Sequence, residues 1–81
     1  MNIAVLGSGS WATAIVKIAI QNHNTVHWWV RENEIVEGVR LYGRNPLFLR
    51  SCQLDTSKIE ITTDIKKVIS STDTIVLVIP S

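Results

Sequence analysis

The residues whose types and spacing can do chemistry come early in the chain. Gly7-Ser8-Gly9-Ser10-Trp11-Ala12 follows a short apolar run, Asn2 to Leu6, and opens a helical pattern. In a Gly-x-Gly-x-x-Ala run the first glycine permits a tight turn off a strand. The second lacks a side chain, which lets a pyrophosphate approach the backbone, and the alanine is small enough for a helix to pack closely on a sheet. The helix start then directs free N–H groups and a partial positive charge at phosphate. Gly7, Ser8, Gly9, Ser10, Trp11 and Ala12 are therefore candidate contacts to a dinucleotide. The same spacing also serves as a plain strand-to-helix turn without a ligand; its place inside a strand–helix–strand unit favours the nucleotide.

The end of the second apolar run should choose between NADH and NADPH. Glu32 lies 20 positions past Ala12, the spacing at which an acid takes a ribose 2′-hydroxyl. Arg31 offers a planar fork for a 2′-phosphate and a flat face for adenine. The balance leans to NADPH, with NADH open, and each of the two side chains also reads as a solvated surface residue. Trp11 reads as a shield over the pyrophosphate or as a packing residue, and Trp28 and Trp29 as packing residues. His23 and His27 have no metal-ligand spacing with any partner and read as turn or surface residues. No catalytic constellation and no metal site is expected. Hydride transfer asks little of a protein beyond positioning and a proton donor, and these need not lie in this stretch.

The elements that position these residues follow from periodicity. Asn2 to Leu6 reads as a strand and Thr13 to Gln21 as a helix with Ile15, Ile18 and Ala19 on one face, widened by Val16 and Ile20. Thr25 to Val30 is β-branched and aromatic, a second strand. Asn33 is placed to cap a helix with Ile35, Val39 and Tyr42 inward and Gly43 after its last residue. Arg44 to Ser57 shows no period and is expected as loop or short helical turns. Lys58 to Thr62 reads as a third strand, with Ile59 and Ile61 on one face. Thr63 or Asp64 then caps a short helix carrying Ile65, Val68 and Ile69. Thr74 to Ile79 is a strand apolar on both faces, suited to the middle of a parallel sheet. The order βαβαβαβ with right-handed crossovers predicts an α/β, Rossmann-type parallel sheet with strand order 3-2-1-4, part of a doubly wound domain.

Composition sets the outer bounds. Among 81 residues, 46% are hydrophobic and 19% charged, with a net charge of +1. That is a globular balance with little pull on a polyanion, which argues against nucleic acid. Arg31, Arg40, Arg44 and Arg50 accordingly read as solvated positions. The lone Cys52 permits no internal disulfide, and a reducing, cytoplasmic setting is expected. The longest unbroken apolar run, Ile75 to Ile79, is five residues, against about 20 for a membrane span.

These landmarks together resemble the bacterial-type NAD(P)-dependent glycerol-3-phosphate dehydrogenases. Gly7-Ser8-Gly9-Ser10-Trp11 with Thr13-Ala14 is similar to the family's Gly-x-Gly-x-Trp-Gly-Thr-Ala opening. Trp28-Trp29-Val30-Arg31 resembles its strand ending in Trp-x-Arg, and Asn45-Pro46-Leu47-Phe48-Leu49 its Asn-x-x-Tyr-Leu segment. Thr62-Thr63-Asp64 and Asp73 to Ser81 resemble its Thr-Thr-Asp and its closing strand with Val-Pro-Ser. Three positions depart: Ala12 stands for the usual Gly, Phe48 for Tyr and Arg50 for a frequent Pro.

The resemblance implies reversible reduction of dihydroxyacetone phosphate to sn-glycerol 3-phosphate, feeding phospholipid synthesis. It implies that Ser10, Trp11, Arg31, Glu32 and Phe48 contact the cofactor, NADPH or NADH, with Pro80 where the last strand meets the cleft. It places the catalytic lysine and the substrate domain beyond Ser81. Residues 1–81 are then the N-terminal part of a dinucleotide-binding domain, inactive alone. Two other readings stay open. One is a different reductase with the same early fold, of ketopantoate or 6-phosphogluconate type. The other is a stand-alone nucleotide-binding module that pairs as a homodimer through its exposed fourth strand.

Overall fold

The computed structural model describes residues 2–22, 25–48, 50–70, 72 and 74–78. Strand β1 (Asn2–Leu6) leads into helix α1 (Ser10–Asn22), then β2 (Thr25–Trp29), α2 (Asn33–Tyr42), β3 (Ile59–Thr62), α3 (Ile65–Ser70) and β4 (Thr74–Leu77). A 3₁₀ turn, Thr56–Lys58, precedes β3. Ser57 donates to its cap, Asp55, from both Oγ and N–H, and these bonds hold the carboxyl below its ordinary range. All four strands are parallel, in the order β3-β2-β1-β4. The expected fold class and strand order are thus observed.

Alternation along the strands divides the sheet into two faces. Ile3, Val5, Val26, Trp28 and Ile61 point to one face and join Ala12, Val16, Ala19 and Ile20 of α1 and Ile35, Val36 and Val39 of α2 in one core. Ala4 and Leu6 point the other way and meet Val68 of α3, with Trp29 packed against them. Two helices therefore cover one face and a single short helix the other. This change of side occurs between β3 and β4, so β1 and β4 flank the point where a doubly wound sheet reverses direction and opens its binding crevice.

Several local expectations are corrected. Helix α1 begins at Ser10, three residues before the apolar period starts. Its inward stripe is Ala12, Thr13, Val16, Ala19 and Ile20, whereas Ile18 is exposed. Ile18 sits two residues from Val16, about 200° round the helix, and so cannot share its face. Glu32, not Asn33, is the N-cap of α2; Asn33 is helical and its amide donates to Glu37. Tyr42 is exposed because it is the last residue before Gly43, whose φ of 70° ends the helix in the left-handed region. Ile65 and Ile69 of α3 are exposed, leaving Val68 as its one buried residue. β4 lies at the edge of the sheet, where the expected order 3-2-1-4 places it, and Ile75 and Leu77 are exposed. His27 lies within β2 and not in a turn; it is half-buried, and its Nε2 is buried without a hydrogen-bond partner among the described residues. His23 lies outside the described residues.

Candidate functional site

The turn between β1 and α1 stands at the carboxyl ends of the strands. The Gly7 N–H donates to the Trp29 carbonyl at 3.0 Å, which ties the turn to β2. On the other side the Val78 N–H donates to the Leu6 carbonyl at 2.9 Å, which holds β4 against β1. Gly7 has a φ of 146°, and a Cβ there would run into the Val78 carbonyl oxygen. This position therefore needs glycine for backbone and for space.

Gly9 is a different case. A Cβ built on it would meet no heavy atom within 4 Å. Folding does not require the missing side chain, and the space it leaves lies at the head of α1. The first helical hydrogen bond runs from the Thr13 N–H to the Gly9 carbonyl at 3.0 Å. The N–H groups of Ser10, Trp11 and Ala12 precede it and belong to the unsatisfied first turn. Ala12 is fully buried against the sheet, as a small residue at the helix–strand contact should be. Ser10 is exposed, and Trp11 stands out at 79% exposure, free of the core.

Two residues that the sequence reading did not assign to the turn build it. Trp28, expected only to pack, is fully buried and donates from Nε1 to the Gly7 carbonyl at 2.7 Å. A tryptophan on a buried strand must place its N–H somewhere, and that need was the available signal. Asn45 is fully buried too. Its Nδ2 donates to the Ser8 carbonyl and to Thr13 Oγ1, both at 3.0 Å. Its Oδ1 accepts from the Leu47 and Phe48 N–H groups, both at 3.0 Å. The asparagine before a proline announced a local turn. Its bonds to the glycine turn span 32 and 37 residues and had no local signature.

Past β2, Arg31 is exposed and makes no hydrogen bond among the described residues. Glu32 is half-buried and turns toward the glycine turn, where Ser8 Oγ donates to Oε2 at 3.4 Å. Its other oxygen, Oε1, is buried with no hydrogen-bond partner among the described residues. Phe48 is half-buried against the core. Pro80 lies outside the described residues. Structure thus gathers Gly7 to Ala12 and Glu32 at one end of the sheet, with Asn45 joining the Phe48 segment to them.

A separate groove of ≈ 460 Å³ is lined by His27, Arg40, Glu60, Thr62 and Lys67, among others. None of its lining residues belongs to the turn. Arg40 there donates to the Ile61 carbonyl at 2.9 Å, so it fastens α2 to the edge strand and is not simply solvated. No group of three or more His, Cys, Asp or Glu suited to a metal occurs among the described residues. No helix among them is long and apolar enough to cross a membrane.

A parallel sheet with a glycine turn under a helix start, and an acid at the end of its second strand, defines the opening half of a Rossmann-type dinucleotide-binding domain. An orphaned carboxylate oxygen and the open space over Gly9 fit such a ligand. The family model described as NAD-dependent glycerol-3-phosphate dehydrogenase N-terminus matches residues 2–81, and the chain belongs to this family. It is 35% identical over 79 residues to glycerol-3-phosphate dehydrogenase [NAD(P)+] of Bacillus pumilus, covering 98% of this chain and 23% of the relative. It is 36% identical over 81 residues to the protein of the same name from Syntrophotalea carbinolica, covering 100% of this chain and 24% of the relative. The crystal structure of glycerol-3-phosphate dehydrogenase from Coxiella burnetii superposes with a TM-score of 0.84 at 28% identity. That alignment covers 99% of this chain and 24% of the Coxiella chain. The chain thus spans about a quarter of the length of these relatives.

Proposed function

We propose that residues 1–81 hold the adenosine and pyrophosphate half of NADH or NADPH, as the N-terminal part of a glycerol-3-phosphate dehydrogenase. The whole protein then interconverts dihydroxyacetone phosphate and sn-glycerol 3-phosphate, a supply for phospholipid synthesis in the cytoplasm. The nicotinamide cofactor, when bound, supplies hydride transfer. This chain's own residues bind and orient. Gly9 leaves room for phosphate, and the N–H groups of Ser10, Trp11 and Ala12 face it at the positive end of α1. Trp11 covers the pyrophosphate, Arg31 and Glu32 meet the adenosine ribose and base, and Phe48 and Pro80 border the cofactor. Turnover requires a proton donor and a substrate site outside these residues, so residues 1–81 alone have no activity.

Gly9 carries this reading, because its missing side chain serves no packing need. A Gly9→Val substitution should leave the fold intact and obstruct the phosphate approach. NADH and NADPH titrations followed by tryptophan fluorescence should show saturable quenching, weakened at least about tenfold in Gly9→Val, a loss near 1.4 kcal/mol. Circular dichroism should be unchanged. Equal affinity in the two proteins would remove the ligand from this turn.

A further inference from the structure

We infer that Thr13 is a positioning residue for the cofactor's pyrophosphate: its buried hydroxyl, held between Asn45 and the Gly9 carbonyl, turns that carbonyl away from the ligand and the next N–H toward it. The inference rests on the dinucleotide-binding reading above and gives a role to a side chain outside the 7–12 turn.

A pyrophosphate brings acceptors and negative charge, so a turn that binds it must present N–H groups and withdraw its carbonyls. Three side chains withdraw them. Trp28 Nε1 donates to the Gly7 carbonyl at 2.7 Å, Asn45 Nδ2 to the Ser8 carbonyl at 3.0 Å and Thr13 Oγ1 to the Gly9 carbonyl at 3.0 Å. Each carbonyl of Gly7-Ser8-Gly9 is thus taken from the protein side. In a trans peptide the C=O and the following N–H point in opposite directions, and no peptide among the described residues is cis. Fixing these three carbonyls therefore aims the N–H groups of Ser8, Gly9 and Ser10 the other way. The Ser8 and Gly9 N–H groups meet no backbone acceptor among the described residues.

A helical threonine that bonds back to the carbonyl four residues earlier is ordinary, and by itself needs no ligand. Two features set Thr13 apart. It is fully buried in a stripe otherwise made of Ala12, Val16, Ala19 and Ile20, where an apolar side chain of the same size would serve packing. Its oxygen also accepts from Asn45 Nδ2, 32 residues along the chain, at 3.0 Å. The direction of these bonds is forced from their ends. The Leu47 and Phe48 N–H groups only donate, so Asn45 Oδ1 faces them and Nδ2 faces α1. Thr13 must then accept from Nδ2 and send its one proton to the Gly9 carbonyl. That carbonyl already holds the Thr13 N–H, so the helix does not need the second bond. What the second bond adds is a fixed plane for the Gly9–Ser10 peptide, and with it the direction of the Ser10 N–H at the head of α1.

The test is equilibrium titration with NADH and NADPH on the intact native polypeptide that contains these residues. Thr13→Val keeps the shape and loses the hydroxyl, whereas Thr13→Ser keeps the hydroxyl. Thr13→Val should bind dinucleotide at least about fivefold more weakly, and Thr13→Ser within about twofold of native. The loss should follow the pyrophosphate. In competition against bound dinucleotide, ADP should weaken by at least about fivefold in Thr13→Val, and adenosine by less than about twofold. Native affinity in Thr13→Val overturns the inference, and so does a Thr13→Ser protein as weak as Thr13→Val. Equal losses for ADP and adenosine assign Thr13 to folding alone and overturn it too. Should Thr13→Val fail to fold, Thr13→Ala takes its place with the same outcomes. If the natively folded protein binds neither dinucleotide, the binding reading fails first and takes this one with it.

Discussion

The two faces of the sheet share one strand pattern and differ in what lies over them. On the α1–α2 face, Val5, Val26 and Trp28 are fully buried in one core with residues of α1 and α2. On the α3 face, Ala4 and Leu6 are buried, but their register neighbours on β4, Ile75 and Leu77, are 47% and 63% exposed. Both pairs lie on the same sheet surface, so residue type does not explain the contrast. A helix of six residues spans about 9 Å and cannot shield four strands about 4.8 Å apart. The closed face also anchors the glycine turn, through Trp28 from below and Asn45 from the side. Trp28 of the closed face thus ties the glycine turn to the core.

The largest expected effect that sharpens this contrast is at Trp28. Replacing it with Ala removes a fully buried side chain and its bond to Gly7, and should lower stability by about 3–5 kcal/mol in urea denaturation. A loss under about 1 kcal/mol would show that the closed face is not the core. Asn45→Ala comes next, with an expected loss of about 1–3 kcal/mol, because the Leu47 and Phe48 N–H groups lose their acceptor. Dinucleotide affinity should fall with it, since Ser8 is released; intact affinity would separate the loop from the site. The smallest effect is expected at Leu77. In the 81-residue chain, Leu77→Ser should change stability by no more than about 0.5 kcal/mol. A loss of about 2 kcal/mol or more would mean that β4 is covered in solution. Sedimentation would then show whether a second copy covers it.

Much of the fold was legible in order of occurrence. β-branched runs marked the strands, and Gly43 marked the end of α2. The strand order followed from short right-handed connections, a rule that acts on the sequence of elements and not on their side chains. Helix orientation was less legible. Ile18 and Tyr42 fit an inward stripe as well as Val16 and Val39 do by type, and only contact with the sheet chooses between them. Arg40 reads as a solvated helix residue until β3 lies beside it with a carbonyl to bind.

By itself the sequence determined the glycine turn, the alternation of strands and helices, and the residues that stand past β2. Those features are local, set by backbone freedom at Gly7 and by side-chain periodicity. Tertiary structure alone decided that Gly7 must be glycine to clear Val78, that Gly9 opens onto empty space, and that Asn45 locks the turn. It also decided that Glu32 faces Ser8 with one oxygen unpaired, across 24 residues of chain. Each is a relation between distant segments, and its energy is felt only after the sheet has brought them within hydrogen-bonding distance.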